Sequence, residues 1–163
     1  MGLPGAGKTT AAKSLEKITK AVRLSSDEAR LMLWSDPEFS EEEHQALYEY
    51  LDDQTKHLLQ IGKSVIYDAN LNRYEHRQEK YQLAHQLGAE VKLLWVKASR
   101  ELAKNRRLED SEHHSLVPDH EDPATMFERL ASLIEEPKDT EDYIEIDGTK
   151  ITEDYLRQKL NLQ

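Results

Sequence analysis

Residues near the start of the chain carry the clearest chemical signal in the sequence. Gly2–Thr9 read Gly-Leu-Pro-Gly-Ala-Gly-Lys-Thr, which matches the P-loop pattern G-x-x-x-x-G-K-[ST]. In this pattern the glycines let backbone N–H groups surround phosphate oxygens, the lysine neutralises the β- and γ-phosphates, and the threonine hydroxyl binds Mg²⁺. The sequence therefore predicts a site for a nucleoside triphosphate with Mg²⁺. Its expected contact residues are Gly2, Pro4, Gly5, Ala6, Gly7, Lys8, Thr9 and Thr10.

The segment before this loop departs from the usual pattern. A P-loop follows a buried strand at the centre of a parallel sheet, but only Met1 precedes Gly2. We expect the first strand to be missing, either because the start is shortened or because another segment or chain takes its place. If the chain is complete, we expect a gap or an exposed edge in the sheet, where strands can be exchanged between molecules.

A carboxylate and a guanidinium follow the first predicted strand. Asp27 and Arg30 are three residues apart at the start of a predicted helix, so they lie on one side of it. A carboxylate in this position can take a proton from an attacking hydroxyl, while an arginine binds an acceptor phosphate or orients the substrate. The alternative is structural: Asp27 caps the helix and Arg30 pairs with it at the surface.

Another set of polar residues follows a β-prone run. Ser64–Tyr67 leads into Asp68, Asn70 and Asn72, at the carboxyl edge where open α/β sheets bind ligands. An acid after four β-prone residues is typical of a Walker-B element, in which the carboxylate holds Mg²⁺ or its water shell. Asp and Asn are also ordinary turn residues, so both readings stay open.

The spacing of apolar residues predicts the elements that position these motifs. Helices alternate with short β-prone runs, and this alternation favours an α/β fold with a parallel sheet covered on both faces. The predicted helices cover Gly7 to about Lys20, Ser40 to near Gly62, Tyr74–Leu87, Arg100 to about Leu108, Asp122 to before Pro137, and a C-terminal stretch capped by Thr152. The predicted strands are Ala21–Leu24, Ser64–Tyr67, Val91–Val96 and Tyr143–Ile146.

Length and composition narrow the class of protein. The 163 residues suit one domain, and we expect 1–163 to form it. The chain has no cysteine, so thiolate metal ligands and disulfides are excluded. Apolar runs are short, and the N-terminus has no basic-then-apolar leader, so we expect a cytoplasmic protein without membrane contact. The formal net charge of −10 disfavours non-specific adhesion to nucleic acid.

Taken in order, the motifs resemble one known family. Gly2–Thr10, Ser26–Arg30, Val65–Asn72 and Arg77 look like the P-loop predicted-kinase family, which is related to the 5′-kinase domain of polynucleotide kinase and distantly to zeta toxins. The resemblance covers residues 2 to about 108. It implies a three-layer P-loop NTPase fold with a small helical lid, here about 100–135.

The same resemblance implies roles for individual residues. Asp27 is implied as the general base and Lys8 as a second catalytic residue. Arg30, Asp68, Asn70 and Arg77 are implied at the acceptor, with Asp68 and Thr9 at the metal.

A lid arginine over the phosphates is a further expectation. Arg106 and Arg107 stand where the lid should begin, and we assign the catalytic role to Arg106 with Arg107 as the alternative. The alternative is that both arginines are solvent-exposed residues of the helix without a catalytic role. His113, His114 and His120 lie in the following loop, but adjacent histidines chelate one ion poorly, so we do not expect a metal there.

The leading hypothesis is an ATP-dependent phosphotransferase whose cofactors are ATP and Mg²⁺. Its acceptor is a hydroxyl, either at a nucleic acid 5′ end or on a small molecule, and no base-reading motif separates ATP from GTP. Two alternatives stay open. A regulatory ATPase would transfer phosphate only to water, and a non-catalytic module would bind ATP without cleaving it.

Overall fold

The computed structural model describes residues 1–109 and 121–162 of the chain. Helices and strands alternate within these ranges, as the apolar spacing predicts. In chain order they are α1 (Lys8–Thr19), β1 (Val22–Ser25), α2 (Ser26–Leu33), α3 (Glu41–Gln60), β2 (Val65–Asp68), α4 (Tyr74–Gln86), β3 (Leu93–Lys97), α5 (Arg100–Glu109), α6 (Pro123–Ser132), β4 (Tyr143–Asp147) and α7 (Glu153–Leu160).

The strands form two parallel pairs. β1 pairs with β2, with Val22 opposite Val65, and β3 pairs with β4, with Leu93 opposite Tyr143. Within residues 1–109 and 121–162, no strand joins the two pairs into one sheet. The parallel sheet is therefore present as two halves.

Met1 and Gly2 lie between the two halves. The Met1 amino group donates to the Leu94 carbonyl at 2.7 Å, and the Val96 N–H donates to the Met1 carbonyl at 2.9 Å. The Gly2 N–H donates to Oδ1 of Asn72, just after β2, at 3.0 Å. The start of the P-loop is thus fixed to both halves by hydrogen bonds.

Helices cover both sides of the strands. α1 packs on β1 and β2 and against α7, which also packs on β4. α3 packs on β1 and β2 together with α2 and α4, while α5 and α6 pack on each other. The core beneath α1 and α7 consists of Ala6, Ala11, Leu15, Val96, Ile146 and Leu156. The predicted α/β fold with parallel strands and helices on both sides is confirmed.

α6 is shorter than predicted. It begins at Pro123 after the Asp122 cap, as expected, but it ends at Ser132 rather than just before Pro137. After this end, the Glu135 N–H donates to the Asn72 carbonyl at 2.9 Å. The segment before Pro137 thus binds the loop after β2 instead of continuing the helix.

None of the helices in the described ranges is long and apolar enough to cross a membrane.

Candidate active site

The P-loop leads directly into α1. Gly7 caps the helix with a φ of 103° and contributes no side chain, so the first N–H groups of α1 are left for an anion. Gly5 has a φ of 77°, and an added Cβ would lie 2.1 Å from the Ala103 carbonyl oxygen. A side chain cannot fit there, because α5 packs directly on the loop. The sequence has glycine where the fold requires it.

Lys8 turns back onto the loop in this structure. Its Nζ donates to the carbonyls of Gly2 and Leu3, both at 2.9 Å. Burial is the main reason why the pKa of Lys8 falls to about 8; the Asp68 and Asp27 carboxylates oppose this change, and Arg107 contributes to it. The charge of Lys8 is therefore influenced by groups from α2, β2 and α5.

Asp68 ends β2 beside β1. Its Oδ2 accepts a hydrogen bond from Arg23 Nη1 at 2.9 Å, and the Arg23 side chain is almost fully buried and also pairs with Glu28. Burial raises the pKa of Asp68, while Arg23 opposes the rise. Sequence reasoning missed Arg23. The available signal was a charged residue inside the apolar run Val22-Arg23-Leu24.

In α2, Asp27 does not cap the helix and does not form an ion pair with Arg30. Ser25 is the N-cap, and its Oγ accepts from the Glu28 N–H, so Asp27 is not the cap. Asp27 is exposed and Arg30 is buried. Arg30 pairs with Glu43 at 3.3 Å rather than with Asp27. The reading of a surface Asp27–Arg30 pair is therefore wrong.

Asn72 and Arg77 form a buried connection behind the loop. Asn72 binds the Gly2 backbone through both ends of its amide. Arg77 Nη1 donates to the carbonyls of Leu71 and Asn72, and the rest of its guanidinium forms two hydrogen bonds with Glu141, at 2.7 and 2.9 Å. The structure therefore surrounds Arg77 with protein groups instead of placing it in the cavity described below. The sequence analysis placed Asn72 at this edge of the sheet but assigned it no role.

The two candidate lid arginines point to different places. Arg106 Nη1 donates to the Gly148 carbonyl, in the loop after β4, at 3.0 Å. Arg107 is buried, its backbone lies beside Gly5 of the P-loop, and its charge contributes to lowering the pKa of Lys8. His113, His114, His120 and the middle of the expected lid lie outside the described residues.

A cavity of about 830 Å³ opens beside this site. Its walls come from α2 and α3, from the loop between β2 and α4, and from α6. Arg30, Tyr48, Asn70 and Asn72 contribute to the lining. Burial, together with the Asp27 carboxylate, raises the pKa of Tyr48 to about 12. Asp27 lies on α2, the helix that also carries the lining residue Arg30.

The fold and the P-loop together define a protein of the P-loop NTPase-like α/β class. The family model AAA_33, described as an AAA domain, matches residues 1–145, so the chain belongs to this family. No curated protein matches the chain significantly.

Solved structures share the fold at low sequence identity. A protein from Chloroflexus aurantiacus aligns with a TM-score of 0.76 at 22% identity, over 98% of this chain and 94% of its own. The APS kinase of Mycobacterium tuberculosis, solved with AMPPNP and APS, gives 0.71 at 19% identity over 99% and 93%. A gluconokinase from Sinorhizobium meliloti gives 0.69 at 12% identity over 99% and 87%.

Proposed function

We propose that this protein is a Mg²⁺-dependent phosphotransferase that moves the γ-phosphate of ATP to a hydroxyl group of a small molecule. The observation that carries this proposal is the position of Asp27. Asp27 follows β1, which ends with Ser25 opposite Asp68, and it shares α2 with the cavity-lining Arg30. Its charge also raises the pKa of Lys8 and of Tyr48. A base between a phosphate site and an acceptor cavity suits transfer to a hydroxyl. Neighbours of the same fold named gluconokinase and APS kinase support this choice.

The reaction assigns a role to each nearby group. Asp27 takes the proton of the acceptor hydroxyl while that oxygen bonds to the γ-phosphorus. The bond from the γ-phosphorus to the bridging oxygen breaks, and ADP leaves with the electron pair. Lys8 and Arg107 stabilise the negative charge on the transferring phosphoryl group. We assign this role to Arg107 rather than Arg106 because Arg107 is buried beside Gly5 of the P-loop, whereas Arg106 donates to the Gly148 carbonyl.

The oxygen donors present fit Mg²⁺. In the described parts of the chain, no three His, Cys, Asp or Glu residues form a metal cluster, which suits an ion held largely by water and phosphate oxygens. The Thr9 hydroxyl and the Asp68 carboxylate are the groups that would hold the ion or its water shell. When bound, Mg²⁺ neutralises phosphate charge and orients the triphosphate.

The size of the cavity favours a small acceptor. Its volume of about 830 Å³ lies within the usual range of small-molecule sites, roughly 300–1,000 Å³. The nucleic acid 5′ end implied by the resemblance to polynucleotide kinase is the second acceptor class. The net charge of −10 weighs against it, because strand binding depends on basic surface.

The lid is part of the same proposal. We propose that residues 1–163 form one domain, in which about 100–135 cover the phosphates. α5 supports this assignment, since its residues Ala103 and Arg107 contact the P-loop at Gly5.

Replacing the proposed base tests the function directly. Asp27→Asn should reduce transfer of labelled γ-phosphate from ATP to a pool of sugars, hydroxy acids and nucleosides by about 100-fold or more. Binding of AMPPNP with Mg²⁺ should stay similar, because the P-loop is unchanged. Asp53→Asn is the matched control, since Asp53 is exposed on α3 and pairs only with nearby Lys56 among the described residues.

The outcomes separate the candidate functions. Wild-type transfer in Asp27→Asn would contradict the role of Asp27 as base. Phosphate release to water that is unaffected by acceptors or by Asp27→Asn would identify a regulatory ATPase. Binding of ATP without any loss of its γ-phosphate would identify a non-catalytic module.

A further inference from the structure

Arginines outnumber carboxylates in the lining of the cavity, although the chain as a whole is acidic. Three arginines and two histidines contribute to its lining, against two glutamates. One of those glutamates, Glu121, accepts two hydrogen bonds from Arg129 of the same lining, at 2.9 and 2.7 Å. The remaining arginines of the lining are Arg30 and Arg73, against the one remaining carboxylate of the lining, Glu41.

Arg30 is built into the wall in a fixed orientation. It is only 8% exposed, and its guanidinium carbon lies 4.9 Å from the centre of the Phe39 ring. Its ion pair with Glu43 is long, at 3.3 Å, and the Glu43 carboxylate also accepts from the N–H groups of Glu38 and Phe39. A guanidinium has five N–H donors. Arg30 therefore keeps donor capacity beside the cavity after it has bound Glu43.

Arg73 supplies a second positive charge from a different element. It is the residue immediately before α4, and its side chain is exposed. No described carboxylate lies within ion-pair distance of it. Its neighbour Asn72 accepts from the first glycine of the P-loop, and both Asn72 and Arg73 line the cavity.

We propose that the acceptor is a small hydroxylated anion whose phosphate or carboxylate group is bound by Arg30 and Arg73. This inference rests on the proposed function and specifies the acceptor class. Planar guanidinium groups bind both kinds of anion through paired N–H donors. With the anionic group held at these arginines, a hydroxyl of the same molecule is directed toward Asp27. A neutral analogue lacks this anchor and leaves buried Arg30 without its ligand.

Matched pairs of ligands test the proposal in the presence of Mg²⁺ and saturating AMPPNP, which occupies the P-loop. The pairs are glycerol 3-phosphate with glycerol, glucose 6-phosphate with glucose, gluconate with glucose, and glycerate with glycerol, each up to 10 mM. Calorimetry should show binding of at least one anionic member at least tenfold tighter than that of its neutral partner. Arg73→Gln should weaken that binding about tenfold or more, because a charged hydrogen-bond partner is lost.

Two further variants keep the test specific. Arg73→Lys should retain part of the affinity, since it keeps the charge but not the paired donors. Arg157→Gln, on α7 against the other side of the strands, should bind like wild type. Arg30→Gln should act like Arg73→Gln if it folds, and the test does not depend on it.

Each other result overturns the inference. Equal binding of neutral and anionic members contradicts it, as does the failure of every anionic member to bind at 10 mM. Unchanged anion binding in Arg73→Gln would show that Arg73 does not bind the anionic group. The proposed function is tested separately, by transfer of γ-phosphate. Phosphorylation of neutral acceptors would support the phosphotransferase function and contradict the anionic acceptor class. Binding of an anion without any transfer would contradict only the phosphotransferase function.

Discussion

Lys8 titrates closer to neutrality than an ordinary lysine, because burial lowers its pKa to about 8. Phosphate groups favour the charged ammonium, so bound nucleotide raises this pKa again. Above about pH 8 the free protein must take up a proton when it binds nucleotide. We therefore expect the affinity for AMPPNP with Mg²⁺ to fall by about tenfold or more between pH 7 and pH 9.5.

Calorimetry in two buffers with different ionisation enthalpies measures both the affinity and the proton uptake. The stability of the free protein should change in the opposite direction. The folded pKa of Lys8 lies below its unfolded value of 10.5, so its charged form costs stability at low pH, and this cost disappears as pH rises from about 8 to 10.5. Lys8→Gln should remove both dependences. An affinity that stays constant to pH 9.5 would contradict the assigned role of Lys8.

Among the residues of the site, sequence reasoning identified those that belong to local patterns. The P-loop residues and the Asp27–Arg30 spacing are contiguous or nearly so, and their types follow from phosphate and proton chemistry. Arg23 with Asp68, and Asn72 with Gly2, are pairs 45 and 70 residues apart. Such pairs depend on which strands lie side by side, which a single sequence does not show.

The connection between α4 and the start of β4 depends on one buried ion pair. The side chains of Arg77 and Glu141 are 0% and 1% exposed. Burial raises the pKa of Glu141, but hydrogen bonds from Arg77, the Lys138 N–H and Tyr81 outweigh this and lower it to about 2. The pair therefore stabilises the fold above the unfolded pKa of 4.5, and this contribution is lost as pH falls toward 2.

Arg77→Met should lower the free energy of unfolding by about 3–5 kcal/mol, because it leaves the Glu141 charge buried without its partner. Urea unfolding at pH 7 measures this loss. Arg77→Met combined with Glu141→Met should recover part of it, since no buried charge remains, and Tyr81→Phe should cost only about 1 kcal/mol. A change below 1 kcal/mol in Arg77→Met would show that the pair does not join these elements.

At the level of elements, local capping signals predicted most boundaries. Ser40, Asp122 and Thr152 each cap a helix through the side-chain oxygen, at the position that the sequence indicates. Ser40 and Glu43 also have the spacing of a capping box, in which the Glu43 carboxylate would accept from the Ser40 N–H. Glu43 accepts from the N–H groups of Glu38 and Phe39 and binds Arg30. The tertiary partner Arg30 thus draws the carboxylate into the wall of the cavity.

For the whole molecule, the P-loop connects elements that are otherwise separate. Met1 binds β3, Gly2 binds Asn72 after β2, and Gly5 packs on α5. A ligand that holds the loop in place therefore stabilises both strand pairs together. This coupling is expected because a ligand that binds only the folded state shifts the unfolding equilibrium by mass action.

AMPPNP with Mg²⁺ at about 100 times its Kd should add about 2.7 kcal/mol to the free energy of unfolding. For a domain of this size that corresponds to a rise in Tm of roughly 5–11 °C. Scanning calorimetry should show this rise in the wild type and in Lys13→Ala, because Lys13 is exposed on the same helix. Lys8→Ala should lose it, since the charge that faces the phosphates is gone. Equal shifts in Lys8→Ala and wild type would place the nucleotide elsewhere, and no shift in either would show that the loop between the two strand pairs does not bind it.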